Sequence, residues 1–437
     1  MKKYYVTDAI NKIGEEVELY GWVHNIRDHK NIIFVDLRDA TGFIQLVGDI
    51  SFKKLSPEDV IYIKGVVKKR PENMVNKKIK TGHIEIEVKK MEIVSESSTL
   101  PIDLSKEDLN VSLPTLLDYR SLTLRHPKIK SIFKIQETII DEFRKTLNSD
   151  GFIEFQAPII VPAQAEGGAA VFPVSYFNKK TYLAQSPQLY KQIMLGVFEK
   201  VFTVTHVFRA EPSVTTRHLT EYTSLDVEMA FIDAWEDLMD TAQLVIKNII
   251  KKTFEKCRDE FEMHKVTEPQ IPNKIPRIKL KEALKIIHKR TKRNVLEESD
   301  LSPADEEEIC KWAKQEKNSD FIFITHYPVE KRPFYTYSDP ENPDLTLSFD
   351  LLAMGTEIMT GGRRINDYKK LIENIKKWGN SPDDFKIYLQ AFKYGLPPEG
   401  GFAIGAERLT MKLLNLSNVR EASLFPRDME RVDIKLK

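Results

Sequence analysis

The chain has 437 residues, of which 66 are Lys or Arg and 65 Asp or Glu, giving a net charge of +1 at pH 7. With 41% hydrophobic and 30% charged residues, this is the composition of a globular protein of two or three domains, not of a disordered or fibrous one. No apolar run approaches the ~20 residues of a membrane-spanning helix, so no membrane partner is expected.

The first hundred residues read as five short strands. Val17–His24, Asn31–Arg38, Phe43–Val47, Val60–Lys68 and His83–Ile93 are rich in β-branched and aromatic residues, and Gly42, Gly48 and Thr81-Gly82 separate some of them. Five such strands fit a small closed barrel of the OB type, a fold that binds oligonucleotides across one face. The connection between the fourth and fifth strands carries Lys64, Lys68, Lys69, Arg70, Lys77, Lys78 and Lys80 against Glu72 alone. Phe34 and Gln45 lie on barrel strands, where an aromatic ring can stack a base and an amide can read its edge.

Residues 101–127 have prolines, serines and no period, and read as a linker. Beyond Pro127, Ile132, Phe133, Ile135, Ile139, Ile140, Phe143 and Leu147 recur at helical spacing up to a stop at Gly151. Strands and long helices then mix to the end of the chain. Asp233–Phe261 reads as one helix and 265–320 as a helical insertion. The fold class is α+β, with 128–437 as a larger domain of mainly antiparallel strands flanked by helices. Cys257 and Cys310 are too few for a disulfide framework and suit a reducing, cytoplasmic setting. The nine histidines show no zinc spacing. The N-terminus lacks the apolar stretch of a secretory signal.

There is no phosphate-binding G-x-x-x-x-G-K-[ST] loop and no G-x-S-x-G elbow, and nothing points to a nucleophilic Ser or Cys. Conspicuous instead are charges within apolar strands. In Phe202–Phe231 a strand ends in Arg209-Ala210-Glu211, a loop follows with Arg217, His218 and Leu219, and a second strand from Tyr222 carries Asp226 and Glu228. Burying such groups costs several kcal/mol unless each is paired or meets a ligand. Arginines at both ends of the loop suit a polyphosphate. Asp350 and Glu357, with Thr360 nearby and Arg363-Arg364 beyond a Gly pair, can hold Mg2+ against phosphate oxygens. A Gly-rich strand runs into Gly405-Ala406-Glu407-Arg408 at a helix start. Glu166 lies in a Gly-containing loop, and Gln188 and Lys191 sit one helical turn apart.

These blocks, in this order behind an OB-like domain, resemble the three signature motifs of class II aminoacyl-tRNA synthetases, most closely the aspartyl enzymes of archaeal and eukaryotic type. The motif-1-like element is Gly151–Pro158, motif 2 runs from Phe208 to Glu228, and motif 3 from Gly401 to Arg408. Ala184–Lys191, Ser319–Pro328, Arg332–Thr336 and Leu424–Asp428 add to the likeness, which covers essentially the whole chain. It implies a homodimer built through motif 1, with tRNA, ATP and L-aspartate as partners, Mg2+ as cofactor, and no DNA. Arg209 would contact the ATP α-phosphate and the aspartate carboxylate. Glu211, Arg217, His218 and Leu219 would hold adenine and the distal phosphates, with Tyr222 stacked on the base and Arg408 on the γ-phosphate. Ala210, Gly405, Ala406 and Glu407 complete the ATP site. Asp350, Glu357 and Thr360 would bind the metal. Asp226 and Glu166 would hold the substrate ammonium, and Gln188, Lys191, Thr360 and Arg364 the rest of aspartate. Asparagine would leave Lys191 and Arg364 as unpaired buried cations. Phe34, Gln45 and Glu96 would meet anticodon bases.

The chain departs from this pattern at Ala165, where Ser or Thr is frequent, and at Glu399, where many relatives carry His. The nearest alternative is an asparagine–tRNA ligase, and the next a catalytically silent RNA-binding paralogue. Whether tRNA(Asn) is charged as well as tRNA(Asp) is open at this point.

Overall fold

A computed structural model describes residues 4–29, 32–162, 170–212, 215–433 and 435. The chain divides into two compact units, Met1–Val111 and Ser112–Lys437.

The first unit is a closed barrel of β1 (Glu16–His29), β2 (Ile32–Arg38), β3 (Phe43–Gly48), β4 (Val60–Lys69) and β5 (Ile84–Ser95), in the order β1-β2-β3-β5-β4. Only β3 and β5 run parallel among these pairs. The five strands read from the sequence are present, and successive side chains alternate: Val17, Leu19 and Val23 on β1 and Ile33, Val35 and Leu37 on β2 point into the barrel.

The second unit opens with α1 (Leu113–Asp118) and α2 (Arg120–Thr123), inside the stretch expected to be linker. Their anchor is Arg120, a buried guanidinium that donates to the carbonyls of Glu421, Ser423 and Leu424. That contact joins positions some 300 residues apart, which local sequence does not reveal. Then come α3 (Pro127–Ser149), β6 (Ile153–Glu154), β7 (Ile160–Val161), β8 (Pro173–Tyr176), β9 (Lys179–Leu183), α4 (Gln188–Phe198), β10 (Lys200–Phe208) and β11 (Glu221–Ala230). Pro127 starts α3, where its missing N–H costs nothing, and Gly151 at φ +81° turns the chain after it. The helix expected over Asp233–Phe261 is two, α5 (Glu236–Lys256) and α6 (Arg258–His264), broken at Cys257, whose ψ of +34° is not helical.

The expected insertion is not purely helical. It contains β12 (Arg277–Lys279), α7 (Leu280–Thr291) and α8 (Pro303–Lys317), and β12 joins the main sheet parallel to β13 (Phe321–Thr325). The remaining elements are β14 (Ser348–Ala353), β15 (Thr356–Arg363), α9 (Tyr368–Lys377), α10 (Lys386–Lys393), β16 (Glu399–Gly405) and α11 (Ala406–Leu413). The main sheet has eight strands in the order β12-β13-β14-β15-β16-β11-β10-β6, antiparallel except at its two edge pairs. α3 and α5 pack their apolar stripes on one face, against Leu225, Val227, Phe349, Phe402 and Ile404. The opposite face holds the cavity described next. Among the described residues, no helix is long and apolar enough to cross a membrane.

Candidate active site

Strand alternation decides what lines this cavity, about 390 Å3 in volume. On β11, Leu225 and Val227 go to the α3/α5 core, so Ser224, Asp226 and Glu228 go to the other side. The register then sets Asp350, Thr360, Ala403 and Asp226 in one cross-strand row over β14, β15, β16 and β11. Asp350 and Asp226 are three strand spacings apart, roughly 14 Å. Along β15 a bulge intervenes: Leu351 faces Met359 while Leu352 faces Glu357, leaving Ile358 extra. It reverses the alternation, so Glu357 and Thr360, three apart, both line the cavity.

At the deep end, α4 delivers Gln188 and Lys191, both buried, above β11. Lys191 Nζ lies 2.9 Å from Asp226 Oδ1 and 3.0 Å from Glu228 Oε2. Arg364 Nε donates to Glu228 Oε1 at 2.9 Å, and its Nη2 reaches Gln188 Oε1 and the Gly401 carbonyl at 3.3 Å. Gly401 is required here, because a Cβ would collide with the Val227 carbonyl and the Glu228 carboxylate. Burial works against the charge on Lys191, yet Asp226 and Glu228 outweigh it and its pKa is raised. Burial would likewise raise Glu228, but Arg364 and Lys191 pull it below its usual value.

This corrects the expectation that Lys191 and Arg364 wait as bare cations. Two isolated charges at this depth are too costly, and the protein's own acids neutralise them. A ligand still finds donors, since Lys191 has a third N–H and no described residue takes Arg364 Nη1.

At the wider end, Arg209 follows β10 and lies over the Tyr222 ring, 5.7 Å from its centroid, with Glu211 3.9 Å away. Arg217 and His218 come from the connecting loop, and Leu219 is buried beside them. Arg217 Nη1 is held at 2.6 Å by Glu306 Oε2, from α8. His218 Nδ1 is 2.6 Å from Thr215 Oγ1, and burial together with Arg408 lowers its pKa. Arg408, on the first turn of α11, donates to the Glu357 carbonyl at 2.9 Å. Gly405 and Glu407 also line the cavity, and Glu407 accepts from Thr223 N. Ala406 does not reach it: alternation turns its side chain into the α3/α5 core. Ala210 is not among the residues lining the cavity, and its backbone N–H is already committed to the Ala170 carbonyl.

Asp350 and Thr360 already share Arg332, whose Nη groups donate to Asp350 Oδ2 at 2.8 Å and Thr360 Oγ1 at 3.1 Å. Asp350 Oδ1 is buried without a hydrogen-bond partner. Burial and the nearby Asp350 charge push the Glu357 carboxyl up to about 7. An orphaned carboxylate oxygen beside a second carboxyl held up by like charge suits a cation. Among the described residues no cluster of three or more His, Cys, Asp or Glu could hold a metal ion, so such an ion would draw its other ligands from phosphate and water. Arg332, Glu228 and Glu306 are the partners that sequence reasoning left without a role. Glu228 carried a readable signal, two residues from Asp226 on an apolar strand. Glu166 and Ala165 lie outside the described residues.

In the barrel, Phe34 is half-buried with His29 edge-on at 5.6 Å. Gln45 is buried and committed at both ends of its amide, accepting from Arg27 Nη2 at 3.1 Å and donating to Glu85 Oε2 at 2.8 Å. Glu96 is exposed just past β5, eleven residues beyond Glu85 and roughly 35 Å of extended chain away. The structure therefore does not group Glu96 with Gln45. The basic run along and after β4 is also less naked than expected, because neighbouring strands and the segment after β5 supply acids: Lys64 meets Glu16 and Glu18, Lys68 meets Glu87, Arg70 meets Glu85 and Lys78 meets Glu107.

The architecture and cavity have counterparts. Residues 112–429 match the family of class II tRNA synthetases (D, K and N), and residues 17–94 match the OB-fold nucleic acid binding domain. The chain belongs to the class II tRNA synthetases, which are ligases. It is 43% identical over 428 residues to an aspartate–tRNA(Asp/Asn) ligase of Thermus thermophilus, covering 98% of this chain and 99% of that one. It is 39% identical over 440 residues to an aspartate–tRNA(Asp) ligase of Pyrococcus furiosus, covering 98% of each. Among solved structures, an asparaginyl-tRNA synthetase of Pyrococcus horikoshii complexed with asparaginyl-adenylate superposes with a TM-score of 0.89, at 34% identity and 99% coverage of both chains.

Proposed function

We propose that the protein is an aspartate–tRNA ligase, which activates L-aspartate with ATP and passes the aspartyl group to the 3′ end of tRNA(Asp). The observation that carries this is the cation pair at the closed end of the cavity. Lys191 and Arg364 each keep an unused N–H there, and the full-length relatives above bear the aspartate name.

Aspartate would lie along β11 with its ammonium on Asp226 and its side-chain carboxylate on Lys191, Arg364 and Gln188. Its α-carboxylate would then point to Arg209. ATP would occupy the wider end, its adenine on Tyr222, its α-phosphate on Arg209 and its distal phosphates on Arg217, His218 and Arg408. The α-carboxylate oxygen attacks the α-phosphorus and pyrophosphate leaves. The adenylate then acylates the terminal adenosine of tRNA. No covalent enzyme intermediate forms, so the residues act by positioning and by neutralising charge. Mg2+ bound by Asp350 and Glu357, beside Thr360, would supply positive charge for the pyrophosphate.

Asp226 would exchange Lys191 for the substrate ammonium, freeing an N–H of Lys191 for the incoming carboxylate. Asparagine offers no charge in return, so rejection comes from one displaced ion pair and not from two naked cations. We further propose a homodimer formed through the Gly151–Pro158 segment, acting in the cytoplasm, with Phe34 contacting the anticodon.

ATP–pyrophosphate exchange tests the reading. Aspartate should support exchange and asparagine should fall at least a hundredfold below it. Arg364→Gln should lower kcat/KM for aspartate by about a hundredfold, because Glu228 loses a buried partner. Comparable exchange with asparagine would reverse the assignment. Charging of two transcripts that differ only at the third anticodon base then separates tRNA(Asp) from tRNA(Asn) as substrates.

A further inference from the structure

Behind the aspartate end of the cavity lies an acid that the proposed chemistry does not use. Glu399 begins β16 and is completely buried. Its Oε1 accepts from Gln192 Nε2 at 2.6 Å, and Gln192 Oε1 in turn accepts from Tyr388 OH at 3.0 Å. Among the described residues its Oε2 has no donor, and Glu228 Oε2 likewise lacks a hydrogen bond beyond its ion pair with Lys191. Across the β11–β16 pair Glu228 faces Gly401 and Glu399 faces Ala230, so the two carboxyls are diagonal neighbours on one face of adjacent strands. Two buried acceptors cannot face each other bare; one of them must carry a proton.

Charge decides which. Glu228 is gripped by Arg364 and Lys191, whereas among the described residues Glu399 forms no ion pair, and its side-chain hydrogen bond is to the neutral Gln192, which links it to Tyr388. We propose that Glu399 is a positioning residue for aspartate, protonated in the working enzyme and donating that proton to Glu228. Deepening the aspartate reading, on which it rests, this gives the pocket its charge balance. Asp226 and Glu228 match Lys191 and Arg364, and the two cations stay available to one more carboxylate. An ionised Glu399 would place a third negative charge beside Glu228 and turn the pocket against an acidic substrate. Burial, followed by the charge of Glu228, holds the Glu399 carboxyl well above its usual range, in keeping with this.

The test uses the full-length protein as wild type, Glu399→Gln and Glu399→Met. Gln can accept from Gln192 and donate to Glu228 without a titratable proton; Met keeps the bulk and loses both functions. Infrared difference spectra of wild type against Glu399→Gln at pH 7.5 should show one protonated-carboxyl carbonyl stretch that the variant lacks. In pyrophosphate exchange, Glu399→Gln should hold KM for aspartate within about threefold of wild type. Glu399→Met should raise it on the order of tenfold, with KM for ATP little moved in either. Absence of the protonated band, or a rise in aspartate KM for Gln as large as for Met, overturns the proposal. Should aspartate support no exchange in the wild type, the functional reading falls, while the infrared band still decides the protonation of Glu399.

Discussion

Glu407, in the first turn of α11, has both carboxylate oxygens turned to the Thr223 backbone N–H, at 3.0 and 3.1 Å. Among the described residues no cation pairs with it, and burial pushes its carboxyl up to about 7 from an ordinary 4.5. The folded state therefore holds a proton between these values that the unfolded chain has released. Stability from this group is complete below about pH 4.5 and is lost as pH climbs through 7, by up to ~3 kcal/mol. Glu407→Gln still accepts from Thr223 and does not titrate. Its melting temperature should gain on wild type as the buffer goes from pH 5.5 to 8; a constant gap would show that Glu407 ionises normally. At this scale much was readable beforehand. Asp226, Lys191, Gln188 and Arg364 meet at one end of the cavity, a grouping that the family resemblance implied and that the local sequence around each did not give. Their counter-charges were not readable, because the partner of Arg364 is Glu228 on another strand, 136 positions earlier.

At the scale of elements, the row from Asp350 to Asp226 depends on register, and the phase of Glu357 depends on the bulge at Ile358. Neither is local: a two-residue period predicts alternation but not where an extra residue breaks it. The insertion shows the same limit. Its sequence read as a helical insertion and showed no role, yet α8 faces the wide end of the cavity through Glu306, which accepts from Arg217 Nη1 at 2.6 Å and from Glu357 N at 3.2 Å. One carboxylate thus fixes a loop arginine proposed for ATP and the backbone of a carboxylate proposed for Mg2+. Burial raises the Glu306 pKa despite Arg217, so the group is held there at some cost. Glu306→Ala should raise KM for ATP by about tenfold, the worth of a partly buried charged hydrogen bond of ~1–2 kcal/mol. KM for aspartate should shift less than twofold, since the deep end does not touch α8. Equal changes in both would instead indicate general loosening of the sheet edge.

For the molecule as a whole, the division into two units makes the barrel a separable object. Residues 1–111 have their own core, from Val6 and Ala9 through the strands to Ile84 and Ile86, inside a closed sheet with no free edge. All five strands were legible from their β-branched and aromatic residues and the turn residues between them. The outer face was less so: Gln45 looked free to read a base and is instead locked between Arg27 and Glu85. Of the two strand residues expected to meet bases, that leaves Phe34, half-exposed beside His29, as the candidate for stacking. A fragment of residues 1–111 should unfold cooperatively and bind an RNA hairpin carrying the aspartate anticodon. Binding should weaken with rising salt as Lys69 and Lys77, which have no acid partner among the described residues, release counterions. Phe34→Ala should cost the fragment ten- to a hundredfold in affinity, the value of one base–aromatic stack at ~1–3 kcal/mol. Its melting temperature should hardly move, because the ring lies outside the core. Unchanged affinity would place the anticodon on another face of the barrel, and a large fall in melting temperature would make Phe34 a structural residue.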